Sequence, residues 1–194
     1  MMRLRLSLLS AFGGFSARLA HLLLVMVLLF SVSSQNRAQA TSADEYDIRA
    51  AMLFNLPKFI EWRAGKHDAA HPEVVICILG SDPIVQAAER YLQTRKGGEK
   101  PALLRQLSSF EGAKSCNILY VGMNERRLVE RSGDELAKEG VLVASERFNV
   151  DSPGQVIGLP SVDEHIHIDV NLGTAQRTGL TISSKLLRLA TVTQ

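Results

Sequence analysis

The sequence VVICILG at residues 74–80 decides the fold. It is an unbroken run of apolar residues, most of them β-branched, that ends in glycine. A half-buried strand would alternate apolar and polar positions, so this run predicts a strand buried on both faces, as in a parallel sheet. CNILYVG at residues 116–122 repeats the pattern and predicts a second strand of the same kind.

Helical segments alternate with strands along the middle of the chain. After the first strand, Asp82 is suited to cap a helix and Pro83 to occupy its first position. The further predictions are a helix in SDPIVQAAERYL (81–92), a strand in PALLRQL (101–107), a helix in NERRLVERSGDELA (124–137) and a strand in EGVLVAS (139–145). This order predicts the α/β class, as a compact three-layer domain with a mostly parallel central sheet and helices on both faces.

The segments that flank this core are less regular. DEYDIRAAMLFNLPKFIE at 44–61 has a broad apolar helical stripe, and Pro57 should kink or end the helix near Asn55 or Leu56. GQVIGLP and HIHIDVNL predict an antiparallel C-terminal strand pair at one edge of the sheet.

The C-terminal region predicts two more helices. LGTAQRTGL at 172–180 should form a short helix that Gly179 stops. SSKLLRLATVT at 183–193 should form a capped terminal helix. The leucines expected to face inward from it are Leu186, Leu187 and Leu189.

The first 40 residues differ from the rest. Arginines precede the apolar run LAHLLLVMVLLFSV at 19–32, which is shorter than the roughly 20 residues of a spanning helix, and the small-residue motif AQA follows at 38–40. This pattern predicts a cleaved secretory signal peptide at 1–40 and a single domain at 41–194, in a periplasmic protein. An uncleaved membrane anchor is the alternative.

Charge and cysteine content narrow the class further. The predicted signal peptide holds four arginines and no acid, so the 22 basic and 20 acidic residues of the chain become 18 and 20 without it, a formal charge of −2. A near-neutral domain does not indicate nucleic-acid binding. Cys77 and Cys116, the two cysteines, favour one disulfide in an oxidising compartment, with two buried thiols as the alternative.

The stretch DEHIHIDVNL at 163–172 resembles a metal site at first sight. On a strand, His165, His167 and Asp169 would share one face, and two imidazoles with a carboxylate are suitable ligands for zinc or iron. A solvated outer face is the simpler interpretation, so no metal is expected and these three residues are weak candidates. The same histidines beside acidic residues could make this face pH-sensitive.

Catalytic signatures are absent from the sequence. There is no GxSxG, P-loop or GxGxxG motif, and neither cysteine lies beside an activating histidine in sequence. These absences disfavour a covalent hydrolase, and no cofactor is expected. The glycines of ILGSDP and YVGMNE, Gly80 and Gly122, end parallel strands where an open α/β sheet binds ligands, which leaves a small-ligand sensor as an alternative function.

Three blocks of sequence together resemble one known family. YDIRAAMLFNLPKFIEW at 46–62, VVICILGSDP at 74–83 and HIDVNLGTAQRTGLTISSKLLRLA at 167–190, with CNILYVG between them, resemble the YfiR family of periplasmic proteins over residues 44–192. Two departures stand out. Pro57 occurs where the family usually has alanine, and SERFNVDSPGQVIGL keeps one glycine where two adjacent ones are common.

The resemblance implies a function that the residues alone do not. It implies a non-catalytic repressor, often dimeric, that binds the periplasmic sensor part of an inner-membrane diguanylate cyclase and holds down cyclic-di-GMP synthesis and biofilm formation. An OmpA-like outer-membrane lipoprotein would sequester it. Related domains serve histidine kinases, so a sensor kinase is the other expected partner, and a small-ligand-binding component of such a system is the alternative function. The resemblance also supports the Cys77–Cys116 disulfide.

A partner-binding protein needs anchoring residues, and aromatic side chains and arginine are the usual ones. Our candidates are Phe59, Trp62, Arg147 and Phe148. For Phe59 and Trp62, packing in the core is an equally good interpretation.

Overall fold

The computed structural model describes residues 43–63, 73–95, 102–147, 149 and 151–194. The predicted signal peptide at 1–40 and the candidate anchor Phe148 lie outside these residues. The strands are β1 (Ile60–Glu61), β2 (Val74–Leu79), β3 (Ala102–Leu107), β4 (Ile118–Val121), β5 (Leu142–Ser145), β6 (Gln155–Gly158), β7 (Ser161–Val162), β8 (His165–Ile166), β9 (Asp169–Asn171), β10 (Thr181–Ile182) and β11 (Thr191–Thr193). The helices are α1 (43–55), α2 (Ile84–Thr94), α3 (Arg126–Lys138), α4 (Leu172–Arg177) and α5 (Ser184–Leu187).

The main sheet has seven strands among the described residues, in the order β11-β9-β6-β5-β4-β2-β3. Five neighbouring strands of this sheet, β2, β3, β4, β5 and β6, are parallel to one another. Counted in chain order, these five lie in the doubly wound order 2-1-3-4-5. β9 then runs antiparallel to β6, and β11 runs parallel to β9. The predicted α/β class with a mostly parallel sheet is confirmed.

Apolar layers cover both faces of the parallel sheet. Side chains of successive strand residues point to opposite faces and so contribute to both layers. On one face, apolar side chains of β2, β4 and β5 pack with α1 and α2; they include Ile76, Ile78, Ile118 and Leu142. On the other face, Leu136 of α3 and the 3-10 turn Phe110–Ser115 pack with a second apolar cluster that includes Leu79, Leu119, Val121 and Val143. The unbroken apolar pattern of VVICILG is therefore explained, as predicted, by burial of this strand on both faces.

Pro57 ends the first helix as the sequence predicts. α1 stops at Asn55, and a 3-10 turn, Leu56–Lys58, carries the chain on to β1 with Pro57 near its start. Pro57 has no N–H to donate and its ring excludes a preceding helical turn. The short strand β1 then pairs with β10, with Ile60 opposite Ile182.

The C-terminal predictions need two corrections. HIHIDVNL is not one strand: β8 pairs with β7 in a separate two-stranded hairpin, and the chain joins the main sheet only at β9. The prediction of a terminal helix over 183–193 is also wrong, because α5 ends at Leu187 and the strand β11 follows. Leu186 is buried, but Leu189 is 74% exposed. The residues Thr191–Thr193 are all β-branched, which favours a strand. They pair with the free edge of β9, whose backbone groups on that side would otherwise have no strand partner.

Cys77 of β2 is bonded to Cys116, which lies just before β4. Their Cα atoms are 5.9 Å apart and both residues are fully buried in the second apolar cluster. The bond crosses from one buried strand to the start of its neighbour and closes a loop with a sequence separation of 39.

A backbone contact fixes α3 against the segment that precedes β6. A Cβ added at Gly133, in the middle of α3, would lie 1.8 Å from the Pro153 carbonyl oxygen, and one added at Gly154 would lie 2.1 Å from the Gly133 carbonyl oxygen. Gly154 also has a φ of +72°. Gly154 of the SERFNVDSPGQVIGL segment is therefore matched by a glycine on the facing helix, Gly133.

Reduction of the disulfide should lower the free energy of unfolding by about 4 kcal/mol, because the loop that it closes gains conformational entropy in the unfolded chain. Urea unfolding with and without dithiothreitol measures this difference. The doubly substituted Cys77→Ala, Cys116→Ala chain serves as control and should not respond to reductant. A parent chain that unfolds at the same urea concentration in both conditions would contradict the expectation.

Alanine at Gly133 should lower the free energy of unfolding by about 3 kcal/mol, although alanine usually favours a helix, since the methyl group overlaps the Pro153 carbonyl. Gly140→Ala is the matched control. Gly140 has a φ of +70° but open space around the added carbon, so it should cost only about 1 to 2 kcal/mol of backbone strain. Thermal unfolding of both variants tests the contact, and a stabilised Gly133→Ala chain would refute it.

Candidate functional site

Polar side chains collect where the carboxyl ends of β2, β4 and β5 meet, below the first turns of α1. In doubly wound sheets the gap between the two strands at which the order reverses, here β2 and β4, is the usual ligand position. We call this group the carboxyl-edge cluster; it consists of Tyr46, Arg49, Asp82, Tyr120 and Glu146.

Arg49 is the centre of this cluster and is only 1% exposed. Its Nε donates to the Leu159 carbonyl at 3.0 Å, and its Nη2 lies 3.2 Å from a Glu146 carboxylate oxygen and 3.5 Å from a Glu45 oxygen. The guanidinium also sits over the Tyr46 ring, 5.3 Å from its centroid. A buried cation needs such partners, because desolvation would otherwise cost several kcal/mol.

The Arg49 network connects α1 to distant parts of the chain. Glu45, one helical turn before Arg49, also accepts a hydrogen bond from the Ser161 hydroxyl at 2.9 Å. The bonds to Leu159 and Ser161 tie the start of α1 to the β6–β7 connection, and the bond to Glu146 ties it to the end of β5. The network therefore fixes the position of α1 over the carboxyl edge of the sheet.

Carboxylates lie against both glycine turns that the sequence singled out. A Cβ added at Gly122 would lie 2.1 Å from Asp82 Oδ2, and one added at Gly80 would lie 2.9 Å from Glu125 Oε1. Asp82 Oδ1 also accepts a hydrogen bond from the Ile84 N–H at 3.1 Å, at the start of α2. The predicted positions are shifted by one residue, since Pro83 is the N-cap of α2 and not its first helical residue. Negative charge at both turns opposes the binding of phosphate or another anion there.

The tyrosines of the cluster stay protonated. Burial first, and then the Glu146 and Asp82 carboxylates, raise the pKa of the Tyr46 hydroxyl. Burial is again the largest cause of the raised pKa of Tyr120, followed by Asp82 and Glu146. Both hydroxyls therefore remain available as hydrogen-bond donors at neutral pH.

The predicted partner-binding residues occupy two places. Phe59 and Trp62 are half-buried on either side of β1 and pack partly against the first apolar cluster. Arg147 follows β5 and its side chain is exposed, while its backbone carbonyl accepts a hydrogen bond from Gln155 Nε2 at 2.8 Å. Arg147 is next in sequence to Glu146 of the carboxyl-edge cluster.

The break between β8 and β9 places the three weak metal candidates on different elements, and not on one face of a single strand. His165 lies in the β7–β8 hairpin, His167 follows it, and Asp169 begins β9. Both histidines are exposed, and His165 Nδ1 lies 2.6 Å from the Asp163 carbonyl oxygen. Within the described ranges, no three His, Cys, Asp or Glu residues are placed so that they could hold a metal ion.

Sequence reasoning did not identify the carboxyl-edge cluster. It treated α1 as an apolar stripe, although Arg49 interrupts that stripe in IRAAM and Glu45 stands four residues before it, the spacing of a helical ion pair. A charged residue inside an apolar face was the available signal. The partners Glu146 and Leu159 come from distant segments and gave no local signal.

Arg49→Met should lower the free energy of unfolding by about 3 kcal/mol, because it leaves Glu146 without its buried cation. Arg90→Met is the matched control. Arg90 pairs with Asp47 at 2.6 Å and so also joins α2 to α1, but both side chains are about half exposed, and its loss should cost less than about 1 kcal/mol. Urea unfolding compares the two, and equal effects would refute the structural role of Arg49.

Two further findings concern the class of protein. In the part of the chain that the structure describes, no helix has the length and apolar character needed to cross a membrane. Comparison with protein families matches residues 46–191 to the YfiR/HmsC-like family (DUF4154). The match covers β1 to β10, most of α1, and α2 to α5. The chain therefore belongs to the YfiR/HmsC-like family.

Proposed function

We propose that this protein is a periplasmic repressor that binds the periplasmic sensor domain of an inner-membrane diguanylate cyclase and so limits cyclic-di-GMP synthesis and biofilm formation. The observation that carries the proposal is the family match over residues 46–191. YfiR-like proteins are periplasmic regulators rather than catalysts. The sequence agrees with this location, since a signal-peptide pattern precedes the matched region.

Repression of this kind requires a difference in affinity. The protein must bind the inactive conformation of the sensor more tightly than the active one, because equal binding to both would leave the cyclase unchanged. No nucleophile or metal is needed for that task. The releasing signal is then whatever removes the repressor, and sequestration by an OmpA-like outer-membrane lipoprotein is our proposal for this step.

The partner-facing surface that we propose includes Arg147 and Phe148 after β5 and Phe59 and Trp62 beside β1. Arg147 is exposed, and an arginine can bind a carboxylate with two parallel hydrogen bonds. The half-buried rings of Phe59 and Trp62 are held by the core and leave part of their surface for a partner. We also propose that the protein acts as a homodimer.

The test uses a strain that lacks the gene and carries it again on a plasmid, with cyclic-di-GMP measured by mass spectrometry. Deletion should raise the cellular concentration of cyclic-di-GMP, and the parent gene on the plasmid should return it to the lower level. Arg147→Ala should lower cyclic-di-GMP less than the parent gene does, since loss of an interface anchor typically costs about 2 kcal/mol of binding free energy. Its unfolding free energy should change by less than about 0.5 kcal/mol, because the side chain is exposed.

Arg131→Ala is the matched control, since Arg131 is an exposed arginine on α3. It should repress as well as the parent. Unchanged cyclic-di-GMP after deletion would remove the cyclase from the proposal and direct attention to a sensor kinase. Equal repression by Arg147→Ala and Arg131→Ala would remove Arg147 from the partner-facing surface.

A further inference from the structure

Two buried polar atoms of the carboxyl-edge cluster have no hydrogen-bond partner among the residues that the structure describes. They are the hydroxyl oxygen of Tyr120 and the Oε2 atom of Glu146. Tyr120 is 0% exposed. A buried polar group without a partner costs about 1 to 3 kcal/mol, so such groups are rare in folded proteins and are normally satisfied by water, an ion or another bound molecule.

These atoms share one environment. The charges that act on the Tyr120 hydroxyl are those of the Asp82 and Glu146 carboxylates and the Arg49 guanidinium. All of these groups lie at the carboxyl edge of the sheet, at the point where its strand order reverses. The position is therefore the one where this type of fold binds small molecules.

The charge of the cluster selects a cation. Within the cluster, the carboxylates of Asp82 and Glu146 outnumber the guanidinium of Arg49. Glu45, which also pairs with Arg49, brings the formal charge of these four groups to −2. Arg49 already donates from Nε to the Leu159 carbonyl, and its Nη2 pairs with Glu45 and Glu146. An anion would meet net negative charge, whereas a cation would be attracted.

The donor set selects an organic cation over a metal. The described residues contain no group of three His, Cys, Asp or Glu side chains that could hold a metal ion. A primary ammonium group carries three N–H donors and accepts none. It can donate to the unpaired Oε2 of Glu146 and to the Tyr120 hydroxyl oxygen, which satisfies both atoms at once.

We propose that Tyr120 and Glu146 form a binding site for a small protonated amine at the carboxyl edge of the sheet. The site goes beyond the proposed repression of a cyclase and does not depend on it. It provides a place where a small molecule can bind beneath α1 and next to Arg147.

The experiment measures thermal unfolding of the purified chain with methylammonium chloride and with ethanolamine hydrochloride. Sodium acetate, a small organic ion of the opposite charge, and potassium chloride at equal ionic strength are the control solutes. We expect both amines to raise the melting temperature, and acetate to have no more effect than potassium chloride. Titration calorimetry then gives the dissociation constant.

Tyr120→Phe removes one hydrogen-bond partner of the ammonium group and should weaken amine binding about tenfold or more. Without amine it should be at least as stable as the parent, because the hydroxyl has no partner to lose. Tyr91→Phe is the matched control. The Tyr91 hydroxyl accepts a hydrogen bond from Asn55 at 3.1 Å between α1 and α2, and its removal should leave amine binding unchanged.

Three results would overturn the proposal. The first is that neither amine raises the melting temperature more than potassium chloride does. The second is that Tyr120→Phe binds amine as the parent does, or is clearly less stable without it. The third is a crystal structure grown with amine in which a water molecule, and not the amine, joins Tyr120 to Glu146. None of these results would bear on the effect of gene deletion on cyclic-di-GMP.

Discussion

The burial of β2 and β4 on both faces is the constraint on which the rest of the structure depends. Two adjacent strands with mainly apolar side chains on both faces require an apolar layer above and below them. α1 and α2 supply one layer, and α3 with the Phe110–Ser115 turn supplies the other. The disulfide between Cys77 and Cys116 lies inside the second layer. The connections that place these layers also bring loops of several strands together at the carboxyl edge.

The carboxyl edge combines this requirement with a buried charge. α1 covers the sheet, but it brings Arg49 into the interior, where the cation must have hydrogen-bond partners. Those partners come from the end of β5 and from the β6–β7 connection. The same arrangement places carboxylates beside the two glycine turns and leaves Tyr120 with a buried hydroxyl. The features that fix α1 are therefore also the features that make this edge acidic.

The fold could be predicted from sequence wherever a local pattern determines the structure. VVICILG and CNILYVG identified buried strands, Pro57 ended a helix, and Gly179 followed one. Prediction failed where pairing decides between structures: Thr191–Thr193 forms a strand because β9 offers it a free edge, and HIHIDVNL is divided between two sheets. The full Arg49 network could not be predicted, because its partners Glu146 and Leu159 are far from Arg49 in sequence. The family resemblance was stated from sequence and is confirmed over residues 46–191.

The central claim is that the protein acts by binding the sensor domain of a membrane signalling protein. Photo-crosslinking in living cells tests it most directly, with a photoreactive amino acid at the exposed position 147 and, as control, at the exposed position 131 on α3. The account predicts that position 147 captures an inner-membrane diguanylate cyclase, identified by mass spectrometry, and that position 131 does not. Capture of no membrane signalling protein from position 147, in cells where the protein represses cyclic-di-GMP, would contradict the account.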